Sequence, residues 1–97
     1  MISMSYRLVF LESALREWKK LDSDIRLQFK KKLLTRLNSP RVETDRLRFL
    51  KNCYKLKLRS AGYRLVYQVR EKDLVITVIG VGKREGNAIY NKVKKRI

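Results

Sequence analysis

A stretch of alternating apolar and basic side chains, from residue 53 to residue 69, constrains the fold more than any other part of the sequence. The residues that alternate are Tyr54, Leu56 and Leu58 with Lys55, Lys57 and Arg59. Residues 60–62 (Ser-Ala-Gly) then offer a turn, and residues 63–69 are again rich in strand-forming side chains. Because successive side chains of a strand point to opposite faces, the pattern predicts an antiparallel hairpin with one apolar and one basic face.

Two amphipathic helices are predicted before this hairpin. After a short β-rich run at residues 6–10, apolar residues recur at helical spacing in two runs. The runs are Leu11, Ala14, Leu15, Trp18 and Leu21, then Ile25, Phe29, Leu33 and Leu37. Residues 22–24 (Asp-Ser-Asp) separate the runs and offer N-cap oxygens. Pro40 ends the second helix, because proline lacks an N–H and disfavours helix in the residue before it.

The C-terminal part completes an α+β domain. Residues 74–81 are apolar on both faces, which predicts a central, covered strand that Gly82 ends. The apolar residues of a C-terminal helix are Ile89, Val93 and Ile97, and the anchors of the aperiodic segment before the hairpin are Leu47, Phe49 and Leu50. We therefore expect a single domain over residues 1–97 with the order β-α-α-β-β-β-α. Its mainly antiparallel sheet is packed by an N-terminal helical hairpin and a C-terminal helix.

The net charge narrows the range of partners. The chain has 25 Lys and Arg residues against 9 Asp and Glu residues, a net charge of +16, whereas solubility alone needs a net charge of about 2–8 on a small domain. A domain this basic favours a polyanion or an acidic protein as partner. Nucleic acid is the commonest such partner, because each neutralised phosphate releases condensed counterions.

Other classes of protein are disfavoured by what the sequence lacks. Cys53 is the single cysteine, so no internal disulfide forms, and no histidine is present to complete a Cys/His zinc pattern. No apolar run approaches the ~18 residues of a membrane span, and the N-terminus lacks the features of a secretory signal. A cytoplasmic protein without a membrane partner is expected.

The basic face of the hairpin is the first candidate site. Lys55 and Lys57 point to one face about 6.6–6.8 Å apart along the strand, a spacing that suits two ammonium groups around one phosphate. Arg59 extends the row, and Arg64 joins it from the return strand. A solvated strand face is the alternative, because lysine on an edge strand also discourages aggregation. The concentration of like charge favours an anion site, because like charges on one face repel.

Two further features lie toward the C-terminus. The sequence Gly80-Val81-Gly82-Lys83-Arg84-Glu85 leaves the last strand and is expected to place Arg84 near a helix N-terminus, where anions are favoured. An ordinary strand-to-helix turn explains the same glycines. Tyr90 falls beside the apolar stripe of the last helix and could stack a base, although its periodicity alone favours a packing role.

The chain resembles the RelE toxins of the RelE/ParE superfamily over nearly its whole length. The segments that carry the resemblance are ALREWKKL (residues 14–21), CYKLKLRSAGYRLVYQV (residues 53–69), GKRE (residues 82–85) and the tyrosine that follows. The family pattern has two strand lysines, a strand arginine, an arginine after the last strand and a tyrosine on the final helix. These match Lys55, Lys57, Arg64, Arg84 and Tyr90. The resemblance implies the fold order given above.

The resemblance also implies cleavage of mRNA in the ribosomal A site. The RNA's own 2′-hydroxyl attacks the adjacent phosphate, leaving a 2′,3′-cyclic phosphate and a 5′-hydroxyl, with no metal and no cofactor. Without histidine, we expect Lys57, helped by Lys55, to accept the 2′-hydroxyl proton and Arg64 to stabilise the phosphorane. Arg84 would support the leaving 5′-oxygen, and Tyr90 would stack on or orient the nucleotide. Further candidates for contact with nucleic acid are Arg48, Arg59 and Lys83.

Partners follow from the same resemblance. A family member pairs with a small acidic antitoxin, and the pair represses its own operon by binding operator DNA; the ribosome supplies both mRNA and ribosomal RNA. Two other functions share the expected fold or charge. One is a ParE-like toxin that inhibits DNA gyrase, which would not need the five matched residues together. The other is a non-catalytic module that binds RNA or the ribosome, which the basic face supports equally well.

Overall fold

The order of helices and strands matches the predicted order. The computed structural model describes residues 5–97, so the single-domain prediction includes four residues, 1–4, that lie outside the described part. The elements are β1 (Arg7–Phe10), α1 (Glu12–Lys19), α2 (Ser23–Arg36), a short 3-10 turn (Glu43–Asp45), β2 (Cys53–Leu58), β3 (Tyr63–Arg70), β4 (Val75–Lys83) and α3 (Ala88–Lys94). Within residues 5–97, no helix is long and apolar enough to cross a membrane.

The four strands form one mixed sheet in the order β1-β4-β3-β2. The pairs β2–β3 and β3–β4 are antiparallel, and β1 runs parallel to β4. The predicted mainly antiparallel sheet is therefore confirmed. The central position predicted for the last strand is confirmed too, because β4 lies between β1 and β3 and most of its side chains are buried.

Each face of the sheet carries its own apolar core. The helical hairpin of α1 and α2 covers one face, where the largest buried side chains include Phe29, Leu33, Tyr54, Leu56, Leu65 and Tyr67. Trp18 packs against this core between Phe10 and Phe29, with ring centroids 5.2 Å and 6.4 Å away. The other face is covered by α3 and the loop before β2, through Leu47, Cys53, Val66, Ile79, Ile89 and Val93. We call these the hairpin face and the α3 face.

The C-terminal elements end at residues other than those predicted. Gly82 does not end β4, which continues to Lys83, and α3 ends at Lys94, so Ile97 stays half exposed instead of joining the apolar stripe. The glycines of β4 have a packing role instead. A Cβ atom at Gly80 would lie 3.1 Å from Val93 Cγ2, so the missing side chain lets α3 approach the sheet closely.

β4 is longer than its parallel partner β1. The register ends with Phe10 opposite Val78, and β1 then turns into α1. Two side chains bond the backbone of β4 beyond this point. Glu17 on α1 accepts the Val81 N–H at 3.2 Å, and Arg96, just after α3, donates to the Ile79 carbonyl at 2.9 Å.

Glu17 also holds two cations from the C-terminal segment. Arg96 donates to both carboxylate oxygens at 2.9 Å, and Lys92 donates at 2.7 Å. Burial alone would raise the pKa of the Glu17 carboxyl, but the hydrogen bonds from Arg96, Lys92 and the Val81 amide outweigh burial and lower the pKa to about 2. This carboxylate therefore links α1, β4 and α3.

Substitution of Glu17 by Gln is expected to reduce the free energy of unfolding at pH 7 by about 2–3 kcal/mol, because hydrogen bonds to a charged acceptor are lost. A carboxyl with a lowered pKa stabilises the fold above its unfolded pKa, and this contribution disappears as the pH falls toward about 2. The deficit of the variant should therefore shrink between about pH 5 and pH 2. Urea titrations across that range measure it.

Glu12→Gln is the matched control. Glu12 is on the same helix and pairs with Arg16, but both side chains are largely exposed, so the change should cost little. Equal losses in the two variants, or a Glu17→Gln deficit that does not change with pH, would contradict the role given to Glu17.

Candidate functional site

The basic face predicted for the hairpin lies on the α3 face of the sheet. Lys57 pairs with Arg64 across β2 and β3, and Arg64 pairs in turn with Gly82 on β4. These three positions form one row across the sheet, and strand alternation places Lys55 on the same face as Lys57. The core of the hairpin face fixes this orientation, because Tyr54, Leu56 and Leu58 are buried there.

The row opens into a pocket of about 390 Å³. Its lining residues are Lys57, Arg59, Gly62, Arg64 and Arg84. Arg84 reaches the pocket because its backbone N–H donates to the Gly62 carbonyl at 2.7 Å, which ties the loop after β4 to the β2–β3 turn. Gly62 has a φ of 69°, a conformation that glycine adopts without strain. We call this the basic pocket.

Arg64 is the most buried charge of the basic pocket. Only 8% of its surface is exposed, and its guanidinium donates one hydrogen bond, to the Tyr63 carbonyl at 3.2 Å. No carboxylate within residues 5–97 forms an ion pair with it. A buried charge is costly unless it is paired and hydrogen-bonded, so an anion bound in the pocket would supply the partner that Arg64 lacks.

The positive charges around Lys57 disfavour its protonated form. The charge of Lys55 is the largest cause that lowers the pKa of the Lys57 ammonium, followed by partial burial and by the charges of Arg59 and Arg64. Asp45, at the 3-10 turn, acts in the opposite direction. The sequence prediction that crowded cations lower the pKa of a lysine here therefore agrees with the geometry, and Lys57 gives up its proton more readily than an isolated lysine.

The structure places the remaining predicted residues outside the lining of the pocket. Lys55 pairs with Val66, one step along the same face of β2, and acts on the pocket through its charge. Tyr90 is half buried on α3, with its ring edge-to-face against Phe49 at 5.6 Å. Arg48 is exposed in the loop before β2, beside Glu43 and Arg46.

Two predictions about the end of β4 change with the structure. Lys83 pairs with Tyr63, whose side chain packs on the hairpin core, so Lys83 lies on the face opposite Arg64. Arg84 was expected near a helix N-terminus, which is wrong: α3 begins at Ala88. The reason is that β4 extends to Lys83, so Arg84 enters a loop whose bond to Gly62, and not a helix end, sets its position.

Sequence reasoning missed three residues around the site. Gly62 was seen only as a turn residue, although it lines the pocket and receives the Arg84 amide. Asp45 gave no signal, because its proximity to Lys57 depends on how the segment before β2 folds back. Phe49 was expected to anchor that segment, yet it is 50% exposed, while Leu47 is buried and Leu50 packs partly against the α3-face core.

Comparison with known proteins agrees with this fold. A family described as the ParE toxin of the type II toxin-antitoxin system, parDE, matches residues 8–88. The mRNA interferase toxin RelE of Escherichia coli (strain K12) is 55% identical over 94 residues, which are 97% of this chain and 99% of the relative. The mRNA interferase RelE of Shigella flexneri has the same identity and coverage.

Solved structures give the same result. A mutant of the E. coli toxin RelE in the free state has a TM-score of 0.90 at 54% identity, covering 97% of this chain and 99% of that chain. RelE in the intact E. coli RelBE toxin–antitoxin complex has a TM-score of 0.81 at 57% identity, covering 84% and 99%. These matches define the class as toxins of type II toxin–antitoxin systems. The chain belongs to the RelE toxins of the RelE/ParE superfamily, as its sequence indicated.

Removing the charge of Lys55 is expected to raise the pKa of Lys57 toward its ordinary value, because Lys55 is the largest cause of the lowering. The variant is Lys55→Gln, and the measurement is an NMR titration of the Lys57 side chain. Lys72→Gln is the control, since Lys72 lies in the β3–β4 turn at the other end of β3. A Lys57 titration unchanged by Lys55→Gln would contradict this account of the pocket.

Proposed function

We propose that this toxin is an endoribonuclease that cleaves mRNA in the ribosomal A site and so inhibits translation. The observation that carries the proposal is the basic pocket, in which the buried Arg64 guanidinium pairs with no carboxylate of residues 5–97 and three more cations share the lining. A phosphate matches the charge of this pocket, and guanidinium groups bind phosphate oxygens through strong, charge-assisted hydrogen bonds. The names of the relatives, which are mRNA interferases, support the same substrate.

The proposed reaction is an internal transesterification. The 2′-hydroxyl of one nucleotide attacks the adjacent phosphorus, the bond from phosphorus to the 5′-oxygen breaks, and the products are a 2′,3′-cyclic phosphate and a 5′-hydroxyl. Lys57 in its neutral form accepts the 2′-hydroxyl proton, and its lowered pKa makes that form more accessible. Lys55 assists through its charge.

The other cations act on the charge that develops during the reaction. Arg64 is fixed in the floor of the pocket and stabilises the phosphorane oxygens, as preorganised donors do. Arg84 faces the same pocket from the opposite loop and supports the leaving 5′-oxygen, which takes a proton from Arg84 or from water to become the 5′-hydroxyl. Tyr90 stacks on or orients the reacting nucleotide, and Arg48 and Arg59 contact the RNA around it.

The proposed mechanism uses no metal and no cofactor. The residues that line the basic pocket are four cations and one glycine, which lack the carboxylate, imidazole and thiolate groups that bind metals. The charge of the phosphate is balanced by Lys57, Arg59, Arg64 and Arg84 instead.

Dependence on the ribosome follows from the weakness of the proposed base. A lysine has an ordinary pKa of about 10.4, so even a lowered value leaves a modest fraction neutral. Correct positioning of the 2′-hydroxyl and phosphorus can then supply about 7–11 kcal/mol of the barrier. The ribosome provides that positioning, and the exposed Lys30, Lys31 and Lys32 on α2 are suited to ribosomal RNA.

The proposed partners also include a cognate acidic antitoxin. Solved structures show relatives of this chain in complex with RelB antitoxins, and the net charge of +16 complements an acidic protein. We further propose that toxin and antitoxin together bind operator DNA and repress their operon, and that the system acts in the cytoplasm, where ribosomes and operator are found.

Arg84→Ala should reduce cleavage of ribosome-bound mRNA by roughly 100-fold or more, because it removes one donor from a preorganised anion site. The products are mapped by primer extension from a programmed ribosomal complex, with free RNA in parallel. Arg70→Ala is the matched control: Arg70 is an exposed arginine at the far end of β3, opposite Val75. Equal activity of the Arg84→Ala and wild-type proteins would remove Arg84 from the site.

The rate of cleavage should rise with pH until Lys57 loses its proton, at a pH below that of an ordinary lysine. The sign follows from the base role, because only the neutral amine accepts a proton and the pKa is lowered. Lys57→Gln should be slow and lose this rise. Single-turnover rates between pH 6 and pH 10 measure both proteins, and the same profile in both would eliminate Lys57 as the base.

Two other functions are outcomes of these experiments. Ribosome binding without any cut would indicate a non-catalytic RNA-binding module. The match to the ParE family description keeps gyrase inhibition as the second: inhibition of DNA supercoiling, with no effect on ribosome-bound mRNA, would indicate that activity.

A further inference from the structure

We propose that Phe49 forms an aromatic pair with Tyr90 and that this pair stacks the RNA base next to the phosphate held in the basic pocket. The inference deepens the proposed function and rests on it, since the RNA is the substrate of that reaction. The proposal assigns Phe49 a direct contact with the substrate. The sequence predicted only a packing role for Phe49, and Phe49 does not line the basic pocket.

Phe49 is held in place yet open to solvent. Half of its surface is exposed, while its loop is anchored by Leu47 and Leu50, which pack on the α3-face core. The edge-to-face contact with Tyr90, at 5.6 Å between ring centroids, fixes the ring from the side of α3. Apolar surface is stabilised by about 25 cal/mol for each Å² that is removed from water. A flat partner that covers the exposed phenyl ring would therefore be favoured.

The aromatic pair lies on the same side of the sheet as the basic pocket. Ile89, next to Tyr90, packs over β4 near Gly82, where a Cβ atom would lie 3.8 Å from Ile89 Cδ1. Gly82 pairs directly with Arg64 in the floor of the pocket. On the other side, the Leu47 N–H donates to the Cys53 carbonyl at 2.9 Å, and Lys55 and Lys57 follow along β2 from that point.

Lys55 therefore lies on β2 between the loop of Phe49 and the basic pocket. A single strand of RNA that places one phosphate at Lys57 and Arg64 would pass Lys55 with the next phosphate. Its neighbouring base is then directed toward the aromatic pair. This alternation of cations and aromatic rings is how proteins commonly bind single-stranded nucleic acid.

The charges around Phe49 fit a nucleotide. Lys94 lies over the ring, with its ammonium 4.9 Å from the centroid, and Arg48 and Lys51 are exposed beside it in the loop. Within the part of the chain that the structure describes, none of these three cations forms an ion pair. An apolar protein surface on this ring would desolvate the three cations without pairing them, which is costly. A nucleotide is favoured instead, because its base covers the ring and its phosphate pairs with the cations.

The test measures stacking directly. The probe is a single-stranded RNA with 2′-O-methyl sugars, which block the attacking hydroxyl, and with one 2-aminopurine moved through successive positions. Stacking on an aromatic ring quenches the fluorescence of 2-aminopurine. We expect quenching by the wild-type protein at one position next to the bound phosphate, and weaker RNA binding by roughly 5-fold to 140-fold in Phe49→Ala, the range found for loss of one stacked base.

Three further variants separate stacking from packing. Phe49→Trp keeps a flat ring and should retain both quenching and affinity. Phe49→Leu keeps the apolar contact with the loop and α3 but removes the ring, so it should behave like Phe49→Ala. Leu34→Ala removes a side chain of similar exposure (52%) from α2 and should bind like the wild type. Wild-type affinity in Phe49→Leu would overturn the proposal, and thermal unfolding verifies that each variant is folded.

A second assay decides between RNA and antitoxin as the occupant. The probe is the RelB peptide found in the solved structure of its complex with a mutant of E. coli RelE. If the Phe49 variants weaken binding of this peptide and leave RNA binding unchanged, the aromatic pair is an antitoxin contact and the proposal is overturned. Loss of RNA binding and quenching supports it.

The cleavage assay and the quenching assay test the proposed nuclease and the aromatic pair separately. Cleavage is followed on ribosome-bound mRNA, whereas quenching uses an RNA that cannot be cleaved. A wild-type protein that cuts no mRNA would end the proposed function, while quenching that depends on Phe49 would still support the aromatic pair. Cleavage in the absence of any Phe49-dependent quenching would end the aromatic pair and leave the nuclease intact.

Discussion

The difference in length between β4 and β1 determines how one end of the molecule is built. β1 stops opposite Val78, and the backbone of β4 beyond that point bonds the Glu17 carboxylate and the Arg96 guanidinium instead of another strand. Because the same carboxylate holds Arg96 and Lys92, the C-terminal segment is fixed to the central strand. Gly80 permits the close approach that this arrangement requires. The position of α3, and with it that of Tyr90, depends on these contacts.

The basic pocket lowers the stability of the fold, and the rest of the structure offsets this loss. Gathering Lys57, Arg59, Arg64 and Arg84 around one space opposes folding, because like charges repel and Arg64 is also desolvated. The two apolar cores compensate, since side chains of all four strands pack in the core of the hairpin face and side chains of β2, β3 and β4 are buried in the core of the α3 face. A site of this kind is destabilising when it is empty and becomes favourable when an anion enters, which is the usual relation between stability and activity at functional sites.

Much of the fold was predictable because its signals are local. Apolar residues at helical spacing located the two helices, and apolar residues at every second position located the β2–β3 hairpin. Residues 74–81, which are apolar on both faces, indicated the central strand. The ends of the last elements were predicted wrongly for a tertiary reason. Glycine is a residue that often ends a strand, and Gly82 was therefore predicted to end β4. The strand continues because Arg64 and Tyr63 on β3 pair with Gly82 and Lys83.

The candidate site was predictable where it follows strand alternation. Lys55, Lys57 and Arg64 share a face because the hairpin register is simple, and Arg84 was singled out by the glycines before it and by the family resemblance. The roles of Asp45 and Phe49 were not visible, because the segment before β2 has no period and its path depends on the cores that it covers. Lys83 was grouped with Arg84 by sequence proximity, although one step along a strand changes the face.

The hydrogen bond from the Arg84 amide to the Gly62 carbonyl couples the lengths of two connections. The turn between β2 and β3 and the loop between β4 and α3 meet at this one bond, although they are distant in sequence. An inserted residue in either connection would move Arg84 relative to Arg64 unless the other connection changed to match. Insertions and deletions here therefore offer a route by which related proteins could reshape the pocket without replacing any of its charged residues.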